Sequence, residues 1–304
     1  MGNDFFGPGP RNISVLEHDG DGAARRLARA QRMVLGYGRS VVRRKRTHAR
    51  DLRARHAHRI ARTRLHRAPR RSTLLAVRVE GPHVAPAGPL DQDGLVDPEW
   101  LDVAGFLENI ARCRHEFPDL TILAGVEFGQ PHLSESEVTS IVDLRSLDRV
   151  NGSLHTLAMG ASPRAEPGTL FREQSPVDVM WAYLTEAVAM ANSSAYFDVF
   201  THLDYAVRLW PVGDAGPFDP RRFEEGFRAA MAAIASSGRA LEMNTRRLWP
   251  WMPQWWVEEG GRWVTFGSDA HTPEALAANF PEAVAMLEHF DFRPGSRPEE
   301  FWSR

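Results

Sequence analysis

From Leu120 onward the chain alternates between strand-like and helix-like segments, and that alternation constrains its fold more than any other feature. LTILAGVE (Leu120–Glu127), DRVNGSLH (Asp148–His155), YFDVFTH (Tyr196–His202), ALEMNT (Ala240–Thr245) and WVTF, ending at Phe266, carry the β-branched and aromatic residues of buried strands. Between them the sequence predicts helices over Ser134–Leu147, Pro176–Asn192, Pro220–Ser237, Trp249–Glu259 and Pro273–Phe290. A further helix opens at Pro98 and runs to Phe117, with Val103, Leu107 and Ile110 on one face. In the Pro220 helix, Phe223, Phe227, Met231 and Ile234 fall along one stripe. Strands alternating with helices give a parallel sheet, because parallel neighbours need a long crossover between them. With this many repeats, a closed or distorted βα barrel is expected rather than an open sheet.

The chemistry-bearing residues collect where these strands end. Glu127, His155 and His202 each close a predicted strand. In VTFGSDAH, Gly267 breaks the strand and a polar turn carries Asp269 and His271, before Thr272-Pro273 starts a helix as cap and first residue. The C-terminal ends of barrel strands form one face, so the five side chains would converge. Histidines with carboxylates and no thiolate suit Zn²⁺, Mn²⁺ or Fe²⁺. One carboxylate can bridge two cations, which can share a hydroxide nucleophile and clamp a phosphoryl oxygen. Each residue alone has an ordinary structural explanation; five at four strand ends do not. Arg246 and Arg247 follow the ALEMNT strand, where they could receive a phosphate or stand as solvated loop residues. Asp204 reads as a turn residue, the Trp249, Trp251, Trp255 and Trp256 group as packing, and His115, His132 and His289 as surface residues.

The 304 residues, 43% of them hydrophobic, suffice for one large domain or two small ones. The single cysteine, Cys113, rules out an internal disulfide framework and suits a reducing cytosol. No apolar run approaches membrane-spanning length. The start, MGNDFFGPGP, lacks the basic and apolar regions of a signal peptide, and Phe6 breaks a myristoylation pattern. A cytoplasmic protein without a membrane partner is expected, and the sequence leaves the oligomeric state open.

The net charge of −2 conceals an asymmetry. Residues 25–71 hold 17 Arg, Lys45 and one acid, Asp51, or 18 − 1 = +17. The remainder carries 37 − 18 = 19 bases against 39 − 1 = 38 acids, or −19. Three regions follow: a Gly, Pro and Asp-rich leader over 1–24, an Arg-rich block over 25–72, and an ordinary globular sequence over 73–304. Arg-rich segments bind phosphate backbones, so a nucleic-acid arm is one reading of the block. Against it, Tyr37 is the only aromatic there to stack on a base.

The GVE around Glu127, NGSLH ending at His155, FTHLD around His202, the LEMNTR segment and FGSDAH together resemble the polymerase-and-histidinol-phosphatase (PHP) superfamily, in its histidinol-phosphatase branch. The resemblance covers roughly Val79 to the C-terminus. It implies a distorted seven-stranded βα barrel, two or three divalent metal ions, and hydrolysis of a small phosphorylated metabolite by a metal-activated hydroxide. It implies that Glu127 bridges two metals, that His155 and His202 bind one of them, and that Asp269 and His271 complete the site. It further implies that Asp269 or His271 protonates the leaving alkoxide, and that Arg246 or Arg247 holds the phosphate.

The chain departs from this pattern at its beginning. Family members open with a strand reading D-x-H-x-H followed by Ser or Thr, and a second strand ends in T-E-H or T-D-H; neither is present here. His56-Ala57-His58 has the spacing but no strand around it. Back-translation of the Arg-rich block, read one nucleotide forward, recovers both motifs. Arg26 to Tyr37 can encode D-x-H-V-H-S-[E/G]-W-S-W-D-T, and the codon for Met33 followed by that for Val34 must give Trp. In the same frame Arg59 to Arg70 can encode GLPALAFTEHLD. Two compensating indels, one before Arg26 and one between Arg71 and Val79, therefore account for the block. The chain as it stands is expected to fold poorly and to be inactive, and its frame-restored form to be active.

Overall fold

The computed structural model describes residues 103–304, apart from 119, 141, 160–163, 271–275 and 298. The leader, the Arg-rich block and the helix start at Pro98 lie outside the described residues. Helix α1 (Val103–Glu116) is followed by β1 (Gly125–Gly129), α2 (Pro131–Thr139) and β2 (Arg149–Ser153). Next come α3 (Pro167–Glu173), α4 (Pro176–Asn192), β3 (Val199–Phe200) and two short helices, α5 (Tyr205–Arg208) and α6 (Val212–Ala215). The chain ends with α7 (Glu224–Ser236), β4 (Ala240–Asn244), α8 (Trp251–Glu258), β5 (Trp263–Gly267), α9 (Phe280–His289) and β6 (Trp302–Ser303).

The six strands form one sheet in the order β1-β2-β3-β4-β5-β6. The first five are parallel, and β6 joins antiparallel to β5. This is the expected α/β architecture with a mostly parallel sheet. Among the described residues the sheet is not closed: the first two barrel strands of the resemblance fall on residues outside them. The antiparallel β6, one turn of chain from the C-terminus, has too short a sequence signal to be foreseen.

Register gives the sheet two unlike faces. Glu127 pairs with Asn151, Gly129 with Ser153, Glu242 with Thr265 and Asn244 with Gly267. These residues share one face with Thr201, so that face is small and polar. The alternate residues Phe128, Val150, Phe200, Leu241, Met243, Val264 and Phe266 point the other way into the main hydrophobic core. Period-two alternation thus runs polar inward and apolar outward, because the helices cover the outer face.

That outer layer is built from α4 and α7. Ser175 caps α4 through its side chain, Pro176 opens it, and Asp178 lies in the first turn, where the helix dipole favours an acid. In α7, Phe227, Ala230, Met231 and Ile234 are fully buried. The two helices meet closely at Gly226, where an added Cβ would lie 2.8 Å from Leu184 and 2.9 Å from Trp181. The far end of α4 is finished by Arg239. Its guanidinium donates to the carbonyls of Ala191, Ser193, Ala195 and Phe197 at 2.7–3.3 Å and lies over the Phe197 ring.

Several expected boundaries move. The helix expected over Ser134–Leu147 runs from Pro131 to Thr139 with a kink at Ser134, and a 3₁₀ turn follows at Leu144–Ser146. The Ser134 hydroxyl bonds the Gln130 carbonyl at 3.0 Å, competing with the helical pattern. In α1 the buried face carries Phe106, Ile110 and Cys113, while Leu107 is exposed. These residues pack with Phe117, Ile122 and Ala124 in a second, smaller core. Cys113 is a packing residue, as expected.

Candidate metal centre

Three of the five sequence-assigned ligands come together. Glu127 points inward from β1, His155 follows β2 by two residues, and His202 follows β3 by two. Each offers one ligand atom, and these atoms lie within 4.8 Å of one another. Glu127 Oε1 lies 3.0 Å from His155 Nε2 and 3.2 Å from His202 Nε2. Four ligands arranged tetrahedrally around zinc at about 2.0–2.1 Å stand about 3.3 Å apart, so both separations approach those of a shared cation. The donor chemistry, one carboxylate and two imidazoles, also fits Zn²⁺ or Mn²⁺.

The surroundings hold these side chains in place. The imidazoles of His155 and His202 stack with centroids 5.1 Å apart, and the Tyr205 ring lies 4.7 Å from the first and 5.4 Å from the second. The Gln130 amide, oriented to satisfy both its ends, accepts from the backbone N–H groups of His155 and Thr156 at 2.7 Å each. Tyr205 donates its hydroxyl to buried Glu166 at 3.1 Å. Burial raises the Glu166 carboxyl above its ordinary range, more than Tyr205 and His155 lower it. Burial alone would raise Glu127 too, but hydrogen bonds from His155 and His202 prevail and hold it well below the carboxylate range. For His202, burial favours the neutral ring, and the bond to Glu127 overrides it to raise the pKa. An acid drawn down beside a base drawn up is the signature of a Glu127–His202 ion pair.

Asp269 does not join the trio. Its backbone is left-handed, with φ 49°, and its Oδ2 accepts from Arg208 Nη1 at 2.8 Å. His271 lies outside the described residues. Arg246 and Arg247 are exposed on the turn after β4, which Asn244 caps by accepting from the Arg246 N–H at 3.0 Å. Partial burial, then the nearby Arg208 charge, lowers the Arg247 pKa. Arg247 thus shares the field of the Arg208 guanidinium.

Sequence reasoning missed Arg208, misplaced His132, and placed Asp204 in its turn without foreseeing its burial. Arg208, the last residue of α5, is half-buried and also pairs with Asp204 at 3.4 Å. Asp204, expected as a turn residue, is 1% exposed and further accepts from Trp249 Nε1 at 3.2 Å. It precedes α5 but makes no side-chain cap bond; its oxygens instead hold Arg208 and Trp249. His132, expected at the surface, is largely buried, with Nε2 2.9 Å from Glu186 Oε1. Glu186 also receives Arg164 at 2.7 Å, and Arg164 returns to the Thr156 carbonyl at 2.6 Å. This network braces the segment after His155 against α4. His115 and His289 are exposed, and the tryptophans pack, with Trp255 and Trp256 buried.

Comparison with known proteins agrees with this geometry. A protein of Clostridium acetobutylicum named probable histidinol-phosphatase is 29% identical over 181 residues, 57% of this chain and 69% of that one. The protein of the same name from Thermotoga maritima is 26% identical over 130 residues, 40% and 53% of the two chains. The chain is similar to these two proteins, whose shared name is that of the branch its motifs resemble. It spans only about half the length of the Thermotoga relative. Its fold matches a crystal structure of histidinol phosphate phosphatase from Lactococcus lactis in complex with zinc, L-histidinol and phosphate. The TM-score is 0.57 at 20% identity, over 68% of this chain and 81% of the other. No family model matches the chain. No helix among the described residues is long and apolar enough to cross a membrane.

Proposed function

We propose that this chain derives from a metal-dependent histidinol-phosphatase, which converts histidinol phosphate and water into histidinol and phosphate in the cytoplasm. The observation that carries the reading is the convergence of Glu127, His155 and His202 at neighbouring strand ends, in a relative of histidinol-phosphatases. Two or three divalent cations held there would polarise a phosphoryl oxygen and lower the pKa of a water nucleophile. Glu127, kept ionised by its two histidines, would hold a cation together with His155 and His202. Asp269 and His271 would complete the ligand set, and one of the two would deliver a proton to the departing alkoxide. Arg246 or Arg247, exposed on the turn after β4, would receive the phosphate. The first strands, restored to frame, would add the remaining histidines and close the sheet into the distorted seven-stranded barrel.

The test compares the chain as it stands with a version re-encoded in the shifted frame across residues 26–70. Both are assayed on histidinol phosphate and a phosphomonoester panel with added Zn²⁺ or Mn²⁺. The restored chain is expected to turn over histidinol phosphate, and the unrestored chain to be inactive. Robust phosphatase activity in the unrestored chain would sink the frameshift account. An intact reading frame on resequencing, with salt-sensitive DNA or RNA binding lost on deleting residues 25–72, would favour a basic arm instead.

A further inference from the structure

Glu242 is a charged residue in the middle of β4, between the buried apolar residues Leu241 and Met243, and is itself 6% exposed. Its Oε2 accepts from the Thr201 hydroxyl at 2.6 Å. On its other side lies Gly267, where any Cβ would overlap the Glu242 carboxyl group. The carboxylate is therefore wedged between the end of β3 and the end of β5. Thr201 immediately precedes His202, and Gly267 stands two residues before Asp269. Both of those residues have left-handed backbones, with φ 33° at His202 and 49° at Asp269. Residues with side chains persist in that region only where their surroundings over-determine them. Glu242 Oε1 is buried without a hydrogen-bond partner among the described residues. An apolar residue of similar size would avoid that cost, so stability alone does not account for a carboxylate here.

We infer that Glu242 is a positioning residue, whose carboxylate, seated between Thr201 and Gly267, fixes the strand ends that present His202 and Asp269 to the metal site. It acts through the Thr201 bond on one side and close packing on Gly267 on the other. This deepens the function proposed above and rests on Glu127, His155 and His202 being metal ligands.

Cobalt(II) titration of the frame-restored full chain, followed by visible absorption, reads the ligand set without turnover. Thr201→Val removes the hydroxyl at nearly constant volume, Thr201→Ser keeps it, and Glu242→Gln keeps an oxygen able to accept it. Thr201→Val is expected to weaken Co²⁺ binding about ten- to a hundred-fold and to alter the band intensities. Thr201→Ser and Glu242→Gln are expected to stay within about three-fold of the parent. Thermal unfolding of the metal-free variants separates positioning from bulk stability. A lowered melting temperature with unchanged cobalt affinity overturns the inference, as does a Glu242→Gln loss equal to that of Thr201→Val. Should Thr201→Val not fold, Gly267→Ala drives a methyl into the same carboxyl and carries the same expectation and the same refutation. A parent chain that binds no cobalt overturns the metal-site reading and this inference with it. A parent that binds, with Thr201→Val unchanged, overturns the inference alone.

Discussion

The two faces of the central sheet are made by the same strands and obey opposite rules. Outward, Phe128, Phe200, Leu241 and Phe266 pack into one continuous core. Inward, Glu127, Asn151, Thr201, Glu242 and Thr265 stand in adjacent rows, and Asn151 Oδ1, Glu242 Oε1 and Thr265 Oγ1 are buried without hydrogen-bond partners among the described residues. An ordinary core would not accept such a face, because each unsatisfied buried group costs about 1–3 kcal/mol. The outer face is built for stability, and the inner face spends part of it on chemistry. Substitutions on the two faces should therefore separate cleanly in what they damage.

The largest separation is expected at Glu127. In the frame-restored chain, Glu127→Gln should lower phosphatase turnover by about 10³-fold or more, roughly 4 kcal/mol of barrel-mouth chemistry. Bound metal, counted by elemental analysis, should fall with it, while the urea midpoint of the metal-free protein moves little. Wild-type metal content in that variant would break the comparison. On the outer face, Phe200→Ala should cost about 3–5 kcal/mol in urea unfolding, with metal per folded molecule unchanged. Between the faces, Arg208→Met leaves Asp204 and Asp269 without their shared cation. A loss of about 3 kcal/mol in stability is expected, and no loss in denaturation would show that the two acids are neutral when buried.

The smallest effect lies at the brace behind His155. The bond from His132 draws the Glu186 carboxyl below its ordinary value, against burial and helped by Arg164. A depressed folded pKa gives stability that is complete above the unfolded value, about 4.3 for Glu, and is lost as the pH falls through the folded one. Glu186→Gln should cost about 1 kcal/mol at pH 7. Its deficit against the parent should shrink from about pH 4.3 downward, as read by urea unfolding across pH. A deficit that stays constant into acid would mean that the charge on Glu186 does not matter.

The parallel sheet and three of the candidate ligands were legible because local signals carry them. β-branched runs mark the strands, and a polar residue ending an apolar run stands out. Arg208 was not legible: it sits on a four-residue helix, and its partners Asp204 and Asp269 become neighbours only when β3 and β5 are placed. His132 reads as a surface residue because its partner Glu186 lies 54 residues away. Glu242 did leave a trace, a single acid inside ALEMN, but alternation in a strand usually marks a solvated face, and here it marks an interior one. Closure of the proposed barrel would need strands that residues 26–70 spell only when read in the shifted frame.

The Arg239 clamp bears on the order in which the molecule assembles. Helix α4 ends without a glycine; the Ser193 hydroxyl caps the Met190 carbonyl at 2.8 Å, and the Ala191 carbonyl waits for a guanidinium 48 residues beyond it. The turn out of α4 and the entry to β3 are thus completed by a residue that arrives with β4. A fragment ending before Arg239 would leave that turn frayed, so the α4–β3 crossover matures only after the next βα unit has docked. During synthesis, the chain must run past α7 before this part of the sheet can lock.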